Sequence, residues 1–552
     1  MLRDRVRHPV GIHRRRRERH RYGAESSSGR SLTSLTAGAF GWSVTNSALT
    51  KLCTVGVGIL LARLLGPHSF GTYAVASVAL TIMTNFNDLG VSLAIVRSPG
   101  EPGEIAPTVA TISVVTSVLL YIGCYFGAPM YAAAMGAPNA TAVVRALSLI
   151  IVIDGFVTAP VGLLQRYFRQ DKRTIADQVN IWLGTAVTVV LALARFGPMS
   201  LALGKIAGCL AAAILLIHFS PQPLRFGFNR REARALLRFG LPLAGSSVAM
   251  FVIANVDKLV VGRLLGVTAL GFFVLGSNLS NWPAAAFSEP ISQVAPSALA
   301  RLQHDRAAMR GNFETMVALV SAVTLPACLV EAGSAAPLVR IVYGTRWLPA
   351  YQPLMWLAAL TALQIFFQLT FDYLVVLGQS RMIFTLQMAW GIVLVPVLVA
   401  GARWHGIGGV AVAELAVAAV VPLPWYLVGL HKAGTSGRTL VSRLGLPLAG
   451  AAVAGVAASR ISAMVPGALV ALCWSVLAGV VVIGLLLLRM RHVLSGLRHR
   501  YAQGGGTGRT EARGGRRGRD QPQERAMPVP VAAAVTGEHA PASMAEGPER
   551  AT

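Results

Sequence analysis

Apolar runs of about 20 residues follow one another along the middle of this 552-residue chain, parted by short polar connections. Coiled as a helix, such a run crosses about 30 Å of hydrocarbon. A backbone inside lipid must satisfy its own donors and acceptors, so runs of this length read as transmembrane helices. Hydrophobic residues supply 54% of the chain and charged residues only 13%, too few charges to cover a water-soluble body of this size. The pattern predicts an all-α polytopic membrane protein.

The runs divide into fourteen spans, near 38–63, 70–90, 106–129, 144–165, 176–195, 199–219, 240–263, 270–296, 313–332, 351–377, 381–402, 406–429, 444–464 and 467–488. Charge tests the count. With the N-terminus in the cytoplasm, the inner loops carry Arg166, Arg169, Lys172 and Arg173, then Arg225, Arg230, Arg231 and Arg234. Arg301, Arg306, Arg310, Lys432, Arg438 and Arg443 follow on the same side, against Arg195, Arg340, Arg346 and Arg403 outside. This is the positive-inside distribution, and an even number of spans puts both termini in the cytoplasm of a multi-pass plasma-membrane protein.

Of the net charge of +26, much lies in two tails. Residues 1–36 hold Arg14-Arg15-Arg16-Arg17, and residues 489–552 hold Arg516-Arg517-Gly518-Arg519 before a Pro/Ala-rich end. Both read as disordered cytoplasmic segments that attract anionic membrane lipids. No folded or aromatic reader accompanies the charge, so no nucleic-acid partner is expected. The five cysteines fall inside apolar runs without ligand or disulfide spacing and read as packing residues, so no metal site is expected. The long basic tail ahead of the first run is not the pattern of a cleavable signal peptide.

Arg63-Leu64-Leu65-Gly66 with Gly71 recurs as Arg263-Leu264-Leu265-Gly266 with Gly271, each between membrane-length runs. A chain built twice over in the same orientation predicts two six-helix lobes around a shared midplane site. The divisions are 37–220 for helices one to six, 221–238 for a basic cytoplasmic linker, and 239–430 for helices seven to twelve. A helix pair follows over 431–488. Leu60-Leu61-Ala62-Arg63-Leu64-Leu65-Gly66-Pro67 with Phe70-Gly71-Thr72-Tyr73, then Asn87-Asp88-Leu89-Gly90-Val91-Ser92, resembles the opening hairpin of the Wzx-type polysaccharide flippases. Pro296-Ser297, Tyr343-Gly344 with Trp347, and Leu377-Gly378-Gln379-Ser380-Arg381 extend the resemblance over roughly residues 36–490. These proteins belong to the multidrug/oligosaccharidyl-lipid/polysaccharide exporter superfamily. The resemblance implies transfer of a polyprenyl-diphosphate-linked glycan from the inner to the outer leaflet. Polysaccharide polymerases or glycosyltransferases are the accompanying partners it suggests. The basic tails depart from the family pattern.

An anionic diphosphate and its sugars cross hydrocarbon only inside a hydrated, charge-bearing cavity, so intramembrane ionisable residues are the candidates. Lys51, midway along span one, is read as a phosphate contact, with pairing to a neighbouring acid as its other reading. Lys205 in span six either lines the cavity or snorkels. Asp257 and Lys258 are substrate-binding candidates or an interfacial pair near the outer end of span seven. Glu289, Asp372 and Glu414 are candidates for H⁺ or Na⁺ coupling, or for neutralising a cation between lobes; no other cofactor is expected. Asp88 and Arg97 read as gating residues or helix-end contacts. Arg63 and Arg263 read as snorkelling arginines that brace the Leu-Leu-Gly turn. Trp42, Trp282, Trp347, Trp356, Trp390 and Trp425 read as belt residues or sugar-stacking surfaces.

Two other activities stand beside the leading one. A small-molecule or cation antiporter of the same superfamily shares every feature above. A membrane glycan polymerase or acyltransferase would need converging acid, base or nucleophilic groups, and His68 and His405 have no carboxylate cluster beside them in sequence. A non-enzymatic transporter is expected.

Overall fold

The computed structural model describes residues 32–87, 102–167, 169–234, 238, 254–288 and 306–490, with side chains from residue 55 onward except at 85, 86, 102–104, 170, 287, 288 and 380. The chain divides into two compact units, Met1–Leu60 and Leu61–Thr552, and the contacts below lie in the second. Among the described residues every regular element is helical. Nine stretches of them are long and apolar enough to cross a membrane.

Helix α1 is Leu32–Asn87, broken at Gly66, whose φ of 75° and ψ of 171° no helix contains. Gly266 repeats the break with φ 85° between α6, Val256–Leu265, and α7, Val267–Ser280. A positive φ suits glycine because it has no Cβ to clash with the backbone. The duplicated Leu-Leu-Gly is thus a duplicated turn, at the end of the bundle that the charge pattern assigns to the outside.

Between these hairpins lie α2 (Pro102–Ala134), α3 (Thr141–Arg166), α4 (Gln170–Leu193) and α5 (Pro198–Phe219). They pack as α2 on α3, α4 on α5 and α3 on α5. Glycines let α4 and α5 approach closely: a Cβ on Gly184 would stand 3.1 Å from the Gly204 carbonyl oxygen. After α7 come a π turn at Ala284–Ser288, α8 (Arg306–Gly333), α9 (Ala335–Val342) and a 3-10 turn at Thr345–Ala350. Then follow α10 (Tyr351–Val376), α11 (Ser380–Val420) and α12 (Pro422–Lys432). α11 is interrupted at His405 and Gly406, where sequence places the turn between spans eleven and twelve. The last pair, α13 (Gly437–Met464) and α14 (Ala468–Arg489), packs on α8. Small residues carry that contact too, since a Cβ on Gly333 would stand 2.8 Å from the Ser459 nitrogen.

The two hairpins meet directly. A Cβ on Gly71 would overlap the Val267 carbonyl oxygen, and one on Gly271 would overlap the Pro67 carbonyl oxygen. Beside them, His68 Nδ1 and Thr268 Oγ1 stand 3.4 Å apart. At the opposite end, the connection after α5 is held to α2. The Thr111 hydroxyl donates to the Gly227 carbonyl at 2.9 Å, and the Asn229 N–H donates to Thr108 Oγ1 at 3.3 Å. Part of the segment read as the linker is therefore held to the first group of helices, through Thr108 and Thr111 one turn apart on α2.

Candidate functional site

Helix α6 starts afresh at Val256, after Asn255 at φ −124°. That restart puts Asp257 in a first turn, where free N–H groups favour a carboxylate. Asp257 is buried at 8% exposure, yet its Oδ1 has no hydrogen-bond partner. Lys258 points about 100° away around the helix, and its Nζ donates to Asn255 Oδ1 at 2.8 Å. The two adjacent residues share one neighbourhood without closing on each other.

Helix α11 runs beside α6 and brings in the third group. Glu414 has Asp257 and Lys258 as its charged neighbours, and its Oε2 is buried without a hydrogen-bond partner. Two candidates that sequence assigned to different tasks, substrate binding and ion coupling, form one cluster. It holds two carboxyl groups, one ammonium and one amide. A carboxyl group in excess of the available cation is a place for a proton or a small cation.

Asp372 stands apart. It lies one turn from the end of α10, where Gln368 Nε2 donates to its Oδ1 at 3.1 Å and Oδ2 is buried and unpaired. Its charge acts on Tyr426 of α12, and it is not among the charged neighbours of Glu414. Asp257 and Glu414 are thus neighbours, and Asp372 lies apart from both. Lys205 is exposed on α5 and neighbours Cys209, as do Asp154 of α3 and Asn180 of α4. This polar group in the first half includes Asp154, which sequence reading passed over as one acid in a long apolar run. Glu331 of α8 was passed over for the same reason; it is buried, and its Oε2 has no partner. Asp88, Arg97 and Glu289 lie outside the described residues, and of Lys51 only the helical backbone is described.

Arg63 has partners within the protein: its Nε donates to the Val342 carbonyl at 2.8 Å, and a second guanidinium nitrogen donates to that of Ile341. The last carbonyls of α9 lack intrahelical donors, so they suit a cation. One reading changes: Trp347 is no belt residue, being only 1% exposed. Trp356 does line a surface: with Tyr351, Gln352, Trp404 and His405 it borders a cavity of about 520 Å³ between the start of α10 and the break in α11.

Comparison with known proteins places this geometry. The family described as "Polysaccharide biosynthesis protein" matches residues 60–352. The succinoglycan biosynthesis transport protein ExoT of Rhizobium meliloti (strain 1021) is 26% identical over 325 residues, covering 58% of this chain and 65% of that protein. The lipopolysaccharide biosynthesis protein WzxC of Escherichia coli (strain K12) is 23% identical over 410 residues, 73% of this chain and 83% of that one. In fold, the chain is similar to the lipid II flippase MurJ in an inward closed conformation, with TM-score 0.67 and 13% identity over 81% of this chain and 99% of that one. It is also similar to an inward-facing multidrug resistance MATE family transporter, with TM-score 0.57 and 17% identity over 70% and 94%.

Proposed function

This chain belongs to the polysaccharide biosynthesis protein family, and we propose that it carries a polyprenyl-diphosphate-linked oligosaccharide from the inner to the outer leaflet by alternating access. The transport and lipopolysaccharide roles in the names of its relatives support the cargo class. Fourteen spans in two six-helix lobes plus a final pair, with both termini cytoplasmic, are the architecture we propose for it.

One observation carries the mechanism: buried Asp257 with half-buried Lys258 and Glu414 lies on helices beside a closure made by the two duplicated hairpins. A hairpin-to-hairpin contact without room for a methyl group is a discrete closed state, and alternating access needs such a state on one side at a time. The buried carboxyl groups give an ion gradient a point of action: a proton or Na⁺ bound there changes the charge beside Lys258, which frees or occupies that ammonium. Lys51 supplies the diphosphate contact in this reading, with the sugars in the cavity and the polyprenyl chain left in lipid.

The unpaired carboxylate oxygens also favour a second reading, exchange of a small organic cation for H⁺ or Na⁺. Reconstitution separates the two. The full chain in liposomes, given a fluorescent polyprenyl-diphosphate sugar in the inner leaflet, is expected to expose it to an external quencher. Asp257→Asn with Glu414→Gln is expected to slow exposure about tenfold, the effect of about 1.4 kcal/mol at the barrier, and to remove its response to an imposed ion gradient. Uptake of a cationic dye with no movement of the lipid-linked sugar would replace the flippase by the antiporter.

A further inference from the structure

We propose that the segment Ser334–Ala350, through Trp347 and with Arg63, is a bolt that holds the outer ends of the two hairpins together and withdraws when the molecule opens outward. The proposal rests on the alternating-access reading above.

The segment is α9, Tyr343, Gly344 at φ 91° and the 3-10 turn. The tight glycine turn throws the indole of Trp347 back toward the hairpins. Its Nε1–H donates to the Ala62 carbonyl at 3.0 Å, on the last turn before Gly66. Its ring takes Phe70 edge-on at 5.6 Å and 89°, and Phe272 at 6.0 Å and 87°. Phe70 belongs to the first hairpin and Phe272 to the second, so one side chain touches both and hydrogen-bonds one. Tyr343 closes the stack at 6.2 Å. Arg63, the residue after Ala62, returns the contact by donating to Ile341 and Val342 at the end of α9. The bolt and the first hairpin thus hold each other by donors from both sides.

Two properties suit this contact to repeated release. Its polar partners are backbone carbonyls rather than a carboxylate, and its apolar part is edge-to-face aromatic contact, which is modest per pair. Its connections are also short: α9 and the turn join α8 to α10 within 17 residues, and the packing that must give on withdrawal is that of α9 on α10 and α14 and of the turn on α7 and α10. The glycine contact at Gly71 and Gly271 fixes how close the hairpins come, and the bolt decides how long they stay.

A cysteine pair at His68 and Thr268 reports the closed state. In the full chain reconstituted in liposomes, His68→Cys with Thr268→Cys is oxidised by a membrane-impermeant oxidant. The initial rate of formation of the disulfide is followed by mass spectrometry, which leaves the native cysteines in place. Arg63→Gln is expected to lower that rate about fivefold, the scale of losing a hydrogen bond from a charged donor. Trp347→Phe, which keeps the ring and loses the N–H, is expected to lower it about threefold, and Trp347→Ala further. Arg63 is exposed, so its variant is expected to elute from size exclusion as the parent does; an unchanged rate in that variant and in Trp347→Phe overturns the bolt. The completed disulfide is expected to stop sugar exposure in the liposome assay. Undiminished transport by the cross-linked protein overturns alternating access instead, whatever the bolt variants do.

Discussion

The two copies of the duplicated hairpin end alike in sequence and are secured differently. At the end of the first, Ala62 and Arg63 are held by hydrogen bonds to and from Trp347, Ile341 and Val342. At the end of the second, Gly262 faces apolar side chains: a Cβ there would stand 2.5 Å from Met135 Cε and 3.4 Å from Leu270 Cδ2. Met135 sits in the connection between α2 and α3, Trp347 in the connection before α10. Each half thus lays a connection over the first-helix end of the other, one with directional polar contacts and one with a thioether that adapts to whatever it meets. Duplication supplied the geometry, and later divergence made one end a fastening and the other a bearing surface. The ionisable cluster diverged too: Asp257 and Lys258 correspond to Val57 and Gly58 in the first copy.

Where the copies remain equal, a single change should do the greatest harm. Gly71→Val and Gly271→Val each drive a side chain into a backbone carbonyl of the opposite hairpin. Neither carbonyl can yield without moving its helix, and overpacking of this kind costs about 1–3 kcal/mol. Both variants are expected to lose the disulfide between positions 68 and 268 and to slow lipid-linked sugar movement at least about tenfold. Loss in one variant with full activity in the other would show that the contact is not symmetric. Next in size, Arg63→Gln and Arg263→Gln are expected to part company. The second should leave disulfide formation within about twofold of the parent, as surface substitutions away from specific contacts do. An equal effect of both would reduce the fastening to a general interfacial role for arginine.

These contrasts also measure how far the sequence could be read. Apolar runs of membrane length made the all-helical character legible, with nine candidate spans among the described residues, because a helix in lipid needs no partner to define its extent. The breaks at Gly66 and Gly266 were legible in the repeated Leu-Leu-Gly, since a positive φ is a local property. Asp257, Lys258 and Glu414 were each picked out as unusual charges in an apolar setting, but their assembly depends on which helix lies beside α6. Periodicity carries nothing about that. The belt reading of Trp347 failed for the same reason: an aromatic near a helix end matches the interfacial belt unless another element is known to cover it. Asp154 and Glu331 were passed over because one acid barely lowers the mean hydropathy of a long run, although a buried acid in such a run is itself a signal.

The smallest expected effect tests the bearing surface. In Gly262→Ala the added methyl meets Met135 Cε at 2.5 Å and a Leu270 methyl at 3.4 Å. Met135 is buried at 4% exposure, but its thioether has three torsions with which to swing away, and only its far end is in the way. The backbone at Gly262 is helical, so alanine also gains helix propensity of about 1 kcal/mol over glycine. The two terms oppose each other and nearly cancel, so the thermal midpoint of the purified protein is expected to stay within a few degrees of the parent, for a net change of about 1 kcal/mol or less. Sugar movement should be unchanged. Met135→Val, whose branched side chain cannot reach the same space, combined with Gly262→Ala should then restore nothing, because there was little to restore. A large loss in Gly262→Ala alone, rescued by shortening Met135, would instead mean that the second end is as tightly fitted as the first, and the contrast between fastening and bearing would fail.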